Sequence, residues 1–315
     1  MKTSLVAPLL SIDGVMESRS GFVCLVGRPN SGKSTLTNAL VGEKIAITST
    51  KPQTTRHTIR AIIDRGDSQL VLVDTPGIHR PRTLLGQRLN ETVREAYSSV
   101  DVIAMCLPAN EKCGAGDDFI ARQIADAGSV KRVAVITKSD LGIRALMPER
   151  LLEVVKLATR HGFDWDEIIP VSAKSGNQTE LLVSLLLNLV PEGTALYPAG
   201  QITDEPQDVM IAELIREAAL EGVRDELPHS IAVVVEEIIK KPDSKLISIQ
   251  AFLYVERPSQ KSIVIGAGGA RLKEIGTEAR REIERYLGAP VYLDLRVKVA
   301  KEWQGDPKAL DRLGF

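Results

Sequence analysis

Gly27-Arg28-Pro29-Asn30-Ser31-Gly32-Lys33-Ser34 reads G-x-x-x-x-G-K-S, with Thr35 behind it. An apolar run at 22–26 precedes this stretch and a helix-permissive run at 35–41 follows it. That strand–loop–helix context marks a phosphate-binding loop rather than an ordinary Gly-rich turn. Glycines allow backbone N–H groups to face phosphate oxygens, and the helix N-terminus adds a dipole of the right sign. In this reading Lys33 reaches the terminal phosphates and Ser34 ligates a magnesium ion.

Working outward, the chain up to about residue 189 alternates short apolar runs with helical stretches. Strands are predicted at 22–26, 59–64, 70–74, 102–107, 133–137 and 168–171, and helices at 84–97, 117–127, 148–161 and 179–189. Continuous Val/Ile runs of this length suit strands buried on both faces. The pattern predicts a doubly wound α/β domain, with ligands at the carboxyl ends of the strands.

Residues 191–207 are rich in Pro, Gly, Asp and Gln, lack periodicity and read as a linker. A different grammar follows. Residues 209–226 are helical in pattern, 230–240 read as a strand, and 246–255 and 291–299 alternate apolar with polar. A helix over 271–287 carries the stripe Leu272, Ile275, Ala279, Ile283 and Leu287. The order α-β-β-α-α-β predicts an α+β domain with its sheet covered on one face. The organisation expected is therefore a flexible leader at 1–20, the α/β domain at 21–190, a linker at 191–207, the α+β domain at 208–300 and a tail at 301–315. Met16 is an alternative start.

Composition narrows the classes. The 315 residues suit two domains, and 43% hydrophobic with 26% charged residues is an ordinary globular balance. A formal net charge of −1 gives no global field for nucleic acid, so any such site must be a local patch. Three cysteines (Cys24, Cys106, Cys113) and four scattered histidines (57, 79, 161, 229) show neither zinc spacing nor a disulfide framework. Residues 5–12 faintly resemble a signal sequence, but Pro8 and Asp13 interrupt the pattern.

Three further motifs follow the phosphate loop in order. Asp74-Thr75-Pro76-Gly77 closes a buried strand; Asp74 would hold magnesium through water, and the Gly77 N–H would contact the γ-phosphate. Thr137-Lys138-Ser139-Asp140 follows another strand. The Asp140 carboxylate can accept two hydrogen bonds from guanine, adenine offers no such pair, and a polar site left unpaired rejects the wrong base. The Lys138 stem would pack over the base. Ser172-Ala173-Lys174 offers a backbone N–H for the guanine carbonyl. The four motifs together identify a GTPase, binding GTP and GDP through all of these residues.

Departures from the pattern are informative. Thr137 stands where GTPases usually carry Asn, which predicts weakened nucleotide affinity. Ile78 stands where Ras-like enzymes carry a water-orienting Gln, which predicts slow intrinsic hydrolysis. Within 51–57, Thr55 is the first candidate to complete the magnesium shell in a nucleotide-dependent switch and Thr54 the second. Asn30 matches the phosphate loops of GTPases activated by potassium, whose charge would do the work of an arginine finger. Lys33, Thr55, Gly77 and Asn30 are thus the candidate catalytic residues.

In the α+β domain, Gly266-Ala267-Gly268-Gly269 supplies G-x-x-G, which resembles the RNA-binding loop of a type II KH domain. Arg271 and Lys273 head a local basic cluster with Lys261, Arg280, Arg281 and Arg285, interleaved with glutamates that could make it only a solvated face.

One GTPase domain followed by a KH-like domain resembles the Era family. Lys51-Pro52-Gln53-Thr54-Thr55-Arg56-His57, Tyr197-Pro198, Gln201-Ile202-Thr203-Asp204 and the segment 303–315 also match. The resemblance implies a cytoplasmic bacterial ribosome-biogenesis GTPase, with some peripheral association at the cytoplasmic face of the membrane. It implies that such a protein binds the 3′ end of 16S rRNA through its KH domain and assists 30S maturation. A monomer is expected, with Mg2+ from the loop residues above and K+ from the Asn30 loop. The rivals are an RNA-binding scaffold with a degraded nucleotide site and a translocation- or membrane-associated GTPase.

Overall fold

The computed structural model describes residues 18–49, 51, 54–78, 81, 83–141, 146–221, 227–240 and 242–315. Most of the expected leader, Pro52 and Gln53 of the switch stretch, and His79 lie outside the described residues.

The first unit is built on a six-stranded sheet in the order β2-β3-β1-β4-β5-β6. Its strands are β1 (Ser20–Val26), β2 (Ile59–Arg65), β3 (Ser68–Asp74), β4 (Val102–Pro108), β5 (Lys131–Thr137) and β6 (Glu167–Pro170). All neighbours are parallel except β2, which pairs antiparallel with β3 across a turn at Gly66-Asp67. The period-2 pleat sends alternate β1 side chains to opposite faces. Val23 and Leu25 join the core under α1 (Lys33–Val41) and α5 (Thr179–Leu189). Cys24 and Val26 join the core under α2 (Leu84–Tyr97), α3 (Ala115–Ala125) and α4 (Met147–Arg160). Helices on both faces explain why these strands read as unbroken apolar runs. Cys24 and Cys106 are buried free thiols in different cores.

From β1 the strand order runs to β3 on one side and to β4 on the other. This is the point where an open α/β sheet leaves a crevice at its carboxyl edge, and the phosphate loop leaves β1 there.

The second unit contains α6 (Gln207–Leu220), a short α7 (Leu227–Ser230), β7 (Ala232–Lys240), β8 (Ile247–Val255), α8 (Pro258–Ile265), α9 (Ala270–Leu287) and β9 (Val291–Val299). Its sheet is β7-β8-β9, antiparallel then parallel, with a bulge between Val235 and Glu237. Ile211, Leu214 and Ile215 of α6 and Ile275, Ala279 and Ile283 of α9 bury against one face. The strand expected from 230 begins at Ala232, because the preceding residues close α7.

Two stretches with weak sequence patterns are firmly placed. Linker residues lie on the edge strand β2: Ile62 N–H donates to the Ile202 carbonyl at 2.9 Å, and Ala61 bridges Thr203. The Gln69 amide is fully buried and accepts from the N–H groups of Leu196 and Tyr197, each at 2.8 Å. The tail forms a short turn at Trp303–Gly305 and α10 (Pro307–Arg312). Trp303, Leu310 and Leu313 share one apolar cluster with Leu85 and Leu89 of α2 and Ala232 of β7. The tail thereby wedges between the two units.

Candidate nucleotide site and nucleic-acid groove

A cavity of about 960 Å³ opens at the switch point of the first sheet. Pro29, Asn30, Gly32, Lys33, Ser34 and Thr35 line it from the phosphate loop, Thr55 and Gly77 from two other loops, and Lys138 from the end of β5. Asn30 (φ 62°) and Lys138 (φ 54°) both hold the left-handed backbone, a cost that tends to persist where a binding loop over-determines it.

Lys33 is buried and donates from Nζ to the carbonyls of Gly27 and Arg28, each at 3.1 Å. Burial pulls its pKa below the usual lysine value, against the opposing charge of Asp74. Arg28 spends its guanidinium on α3, with Nε 2.8 Å from Asp117 Oδ1, and also lies 3.3 Å from Glu111. Its contribution to the loop is the carbonyl that Lys33 and the Ser31 N–H share.

The oxygen cluster beside the loop is compact. Ser34 Oγ and Thr55 Oγ1 lie 2.7 Å apart. Asp74 is wholly buried, and neither carboxylate oxygen meets a donor in bonding geometry. Burial pushes its carboxyl up to about 6, although Lys33 and the nearby Ser34 pull the other way. Two hydroxyls and a carboxylate with spare lone pairs form the hard-oxygen set that suits Mg2+. When bound, such an ion neutralises phosphate charge; Ser34, Thr55 and Asp74 are the side chains that fit it. Thr54 instead turns its hydroxyl onto the Lys51 carbonyl at 2.7 Å.

Gly77 is required by proximity. A Cβ there would lie 2.8 Å from Pro29 N and 2.9 Å from Pro29 Cα, so only glycine lets the third loop close on the first. Thr75 ties this turn down by donating to the Leu25 carbonyl at 2.8 Å, and Pro76 follows it. The next residue, Ile78, is 2% exposed and packs in the core under α2. Its side chain is committed to that core, which is consistent with the missing water-orienting group.

Thr137 is buried, and its hydroxyl donates to the Ser31 carbonyl at 2.6 Å. An Asn at this position would bond the base and tie the loop to the phosphate loop; Thr137 performs the second task. The only hydroxyl proton is spent on that tie. Asp140 accepts from Ser172 Oγ at 2.7 Å, which joins the two loops expected around the base; Ala173 and Lys174 continue outward from Ser172.

The cavity's last wall has no counterpart among the sequence motifs. Glu217, Leu220 and Glu221, all at the end of α6, line it opposite the phosphate loop. Glu217 accepts from Thr48 N–H at 2.9 Å and pairs with Lys44 at 2.6 Å. No local motif announces these residues, because their positions depend on how the two units pack.

In the second unit, Gly266-Ala267-Gly268-Gly269 joins α8 to α9. Gly266 has φ 72°, and a Cβ there would meet Arg271 Cβ at 2.7 Å. Arg271 donates to Glu274 at 2.6 Å and to the Glu221 carbonyl, so the first turn of α9 touches the wall of the nucleotide cavity. Beside the loop runs a groove of about 430 Å³ with Leu272, Leu293 and Leu295 as apolar lining and Lys273, Arg280 and Tyr292 around it. Lys273 thus faces the groove, whereas Arg281 and Arg285 pair with Glu278 and Glu282 along the helix. Tyr292, 60% exposed, was not anticipated; its place opposite Leu293 in the alternation was the available signal.

Comparison with known proteins agrees with this architecture. The family model described as "50S ribosome-binding GTPase" matches residues 22–138, and the KH domain model matches 226–304. The chain is 60% identical over 301 residues to the GTPase Era of Streptomyces coelicolor, covering 94% of this chain and 95% of that one. It is likewise 60% identical to the GTPase Era of Mycolicibacterium smegmatis, covering 95% and 99%. Among solved structures it superposes on Era in complex with MgGDPNP and nucleotides 1506–1542 of 16S ribosomal RNA (TM-score 0.89, 36% identity, 94% and 99% covered). It also superposes on an Aquifex aeolicus Era variant bound to GDP and aluminium fluoride, with the same score, identity and coverage. With a phosphate loop at the sheet's switch point, a KH unit behind it and relatives matched along nearly their whole length, the chain belongs to the Era family of GTPases.

Proposed function

We propose that this chain is a GTP-hydrolysing ribosome-assembly factor that binds the 3′ end of 16S rRNA and assists biogenesis of the 30S subunit. The observation that carries this is the placement of Ser34 and Thr55 under a phosphate loop, in a cavity walled by the RNA-binding unit, with the donor-free carboxylate of Asp74 buried behind it. Residues 21–190 bind and hydrolyse GTP, residues 208–300 bind RNA, and 191–207 join them. Mg2+ is held by Ser34, Thr55 and, through water, Asp74. Asp140 and Ser172 select guanine, with Lys138 over the base. Gly266–Gly269, Lys273 and Arg271 meet the sugar-phosphate chain, and bases lie on the apolar lining of the groove.

Hydrolysis depends on positioning and charge neutralisation. Lys33 and the Gly77 N–H stabilise the γ-phosphate, and Asn30 helps hold a K+ ion beside it in place of an arginine finger. The decisive experiment measures GTP turnover with and without the rRNA 3′ end, in potassium and in sodium. Turnover above background that is lost in Lys33→Ala supports an enzyme; RNA binding without turnover would instead support the scaffold reading. Equal rates in the two salts, with Asn30→Ala like the parent, would remove K+.

The expectations of a monomer, a cytoplasmic location and peripheral membrane contact belong to the same reading. Among the described residues no helix is long and apolar enough to cross a membrane. Co-sedimentation with anionic vesicles tests the peripheral contact, and light scattering tests the monomer.

A further inference from the structure

Residues 54, 56 and 57, on either side of Thr55, are held by the second unit and the tail. The Thr54 carbonyl accepts from Arg216 Nη2 of α6. Arg56 donates to the carbonyls of Ile231 at 2.5 Å, His229 at 2.8 Å and Pro228 at 3.1 Å. The His57 ring stacks on Phe315 with centroids 5.1 Å apart. The Thr55 side chain turns the other way, toward Ser34 at 2.7 Å.

Arg216 is the stiffest of these holds. Its side chain is 1% exposed, and Glu213 grips it through Nε at 2.8 Å and Nη2 at 2.5 Å. A bidentate carboxylate fork fixes a guanidinium in orientation as well as position. Burying a charged pair is a poor way to gain stability, so a positional role better explains why the pair sits against this carbonyl.

We propose that Arg216 is a positioning residue for GTP hydrolysis: locked by Glu213, it fixes the Thr54 carbonyl and so presents the Thr55 hydroxyl to the magnesium site beside Ser34. The RNA-binding unit thereby supplies part of the catalytic geometry of the other unit. This deepens the proposed function and rests on the assignment of Thr55 to Mg2+.

The test is a cycle of Thr55→Ala, the pair Glu213→Gln with Arg216→Met, and their combination, in the full-length protein. The paired substitution keeps the side-chain stem and removes both charges of the pair together. Thr55→Ala should raise the Mg2+ concentration for half-maximal hydrolysis and lower kcat. The paired variant should do the same, with kcat down about tenfold, an expected size for a displaced group. GDP affinity and RNA affinity should stay within about twofold of the parent. The combination should be no worse than Thr55→Ala alone, because interactions in one chain of contacts are non-additive. Arg216→Lys, which keeps the charge without the fork, should fall between, and it serves if the paired variant does not fold. Additive losses, or an unchanged Mg2+ dependence in the Arg216 variants while Thr55→Ala shifts it, would overturn the proposal and spare the Thr55 assignment. No shift in Thr55→Ala itself would overturn both.

Discussion

Thr137 shows how one side chain sets the balance between loop stiffness and ligand affinity. Its hydroxyl proton goes to the Ser31 carbonyl at 2.6 Å, so it stabilises the phosphate loop and donates nothing to the base. Thr137→Asn adds an amide with a second proton. It should tighten GDP binding about fivefold, the worth of roughly 1 kcal/mol for one added hydrogen bond; an unchanged dissociation constant by calorimetry would refute this. Gly77 poses the opposite problem, because there is no space to fill. Gly77→Ala places a methyl 2.8 Å from the Pro29 nitrogen. The expected result is loss of hydrolysis by tenfold or more with the thermal midpoint little changed, read by phosphate release alongside a melting curve.

At the scale of elements, the turn between α8 and α9 is governed by backbone conformation. Gly266→Ala demands a Cβ at φ 72° within 2.7 Å of Arg271 Cβ, and strain of this kind costs about 1–3 kcal/mol. Weaker binding to single-stranded rRNA by fluorescence anisotropy is expected, with GTP turnover in the absence of RNA preserved. Lys273→Ala should act differently. It should reduce affinity for all sequences alike and lower the salt slope by about 0.7, as for one lost phosphate contact on a single strand.

The linker carries a pH dependence of its own. Burial and the neighbouring charges of Asp204 and Glu213 push the Glu205 carboxyl up to about 7. A raised acid pKa means the folded chain holds a proton that the unfolded chain releases, so this residue's contribution falls as pH rises from about 4.5 to about 7. Glu205 is only half-buried, so screening reduces the effect. Glu205→Gln should gain about 1 kcal/mol at pH 8 and little at pH 4.5, measured by urea unfolding at the two pH values.

The whole molecule is joined by groups that neither unit explains alone. Arg56 from the first unit is buried against carbonyls of the second, and lies 5.7 Å from the Trp303 ring and 5.8 Å from the Phe315 ring. Burial and the charge of Arg216 lower its pKa to about 9, which leaves it charged at neutral pH. Trp303 is fully buried and donates from its indole to the Ser230 carbonyl at 3.1 Å. Trp303→Ala should cost about 3–5 kcal/mol, the range for a large core aromatic. It should also loosen the hold on residues 54–57, seen as faster proteolysis there.

The sequence by itself determined the α/β fold, the order of the nucleotide loops and the α+β unit with its G-x-x-G turn. Those features are written in short-range patterns, such as the apolar runs at 22–26 and 133–137 and the stripe Ile275, Ala279, Ile283, because local backbone geometry imposes their periods. Tertiary structure alone decided that β2 runs antiparallel, that the tail is a wedge around Trp303, and that Glu217 and Glu221 wall the nucleotide cavity. It also decided that Arg216 reaches Thr54 across the junction of the two units. Such contacts join residues far apart in the chain, and their geometry depends on how whole faces pack. A single sequence has no period or spacing that records this packing.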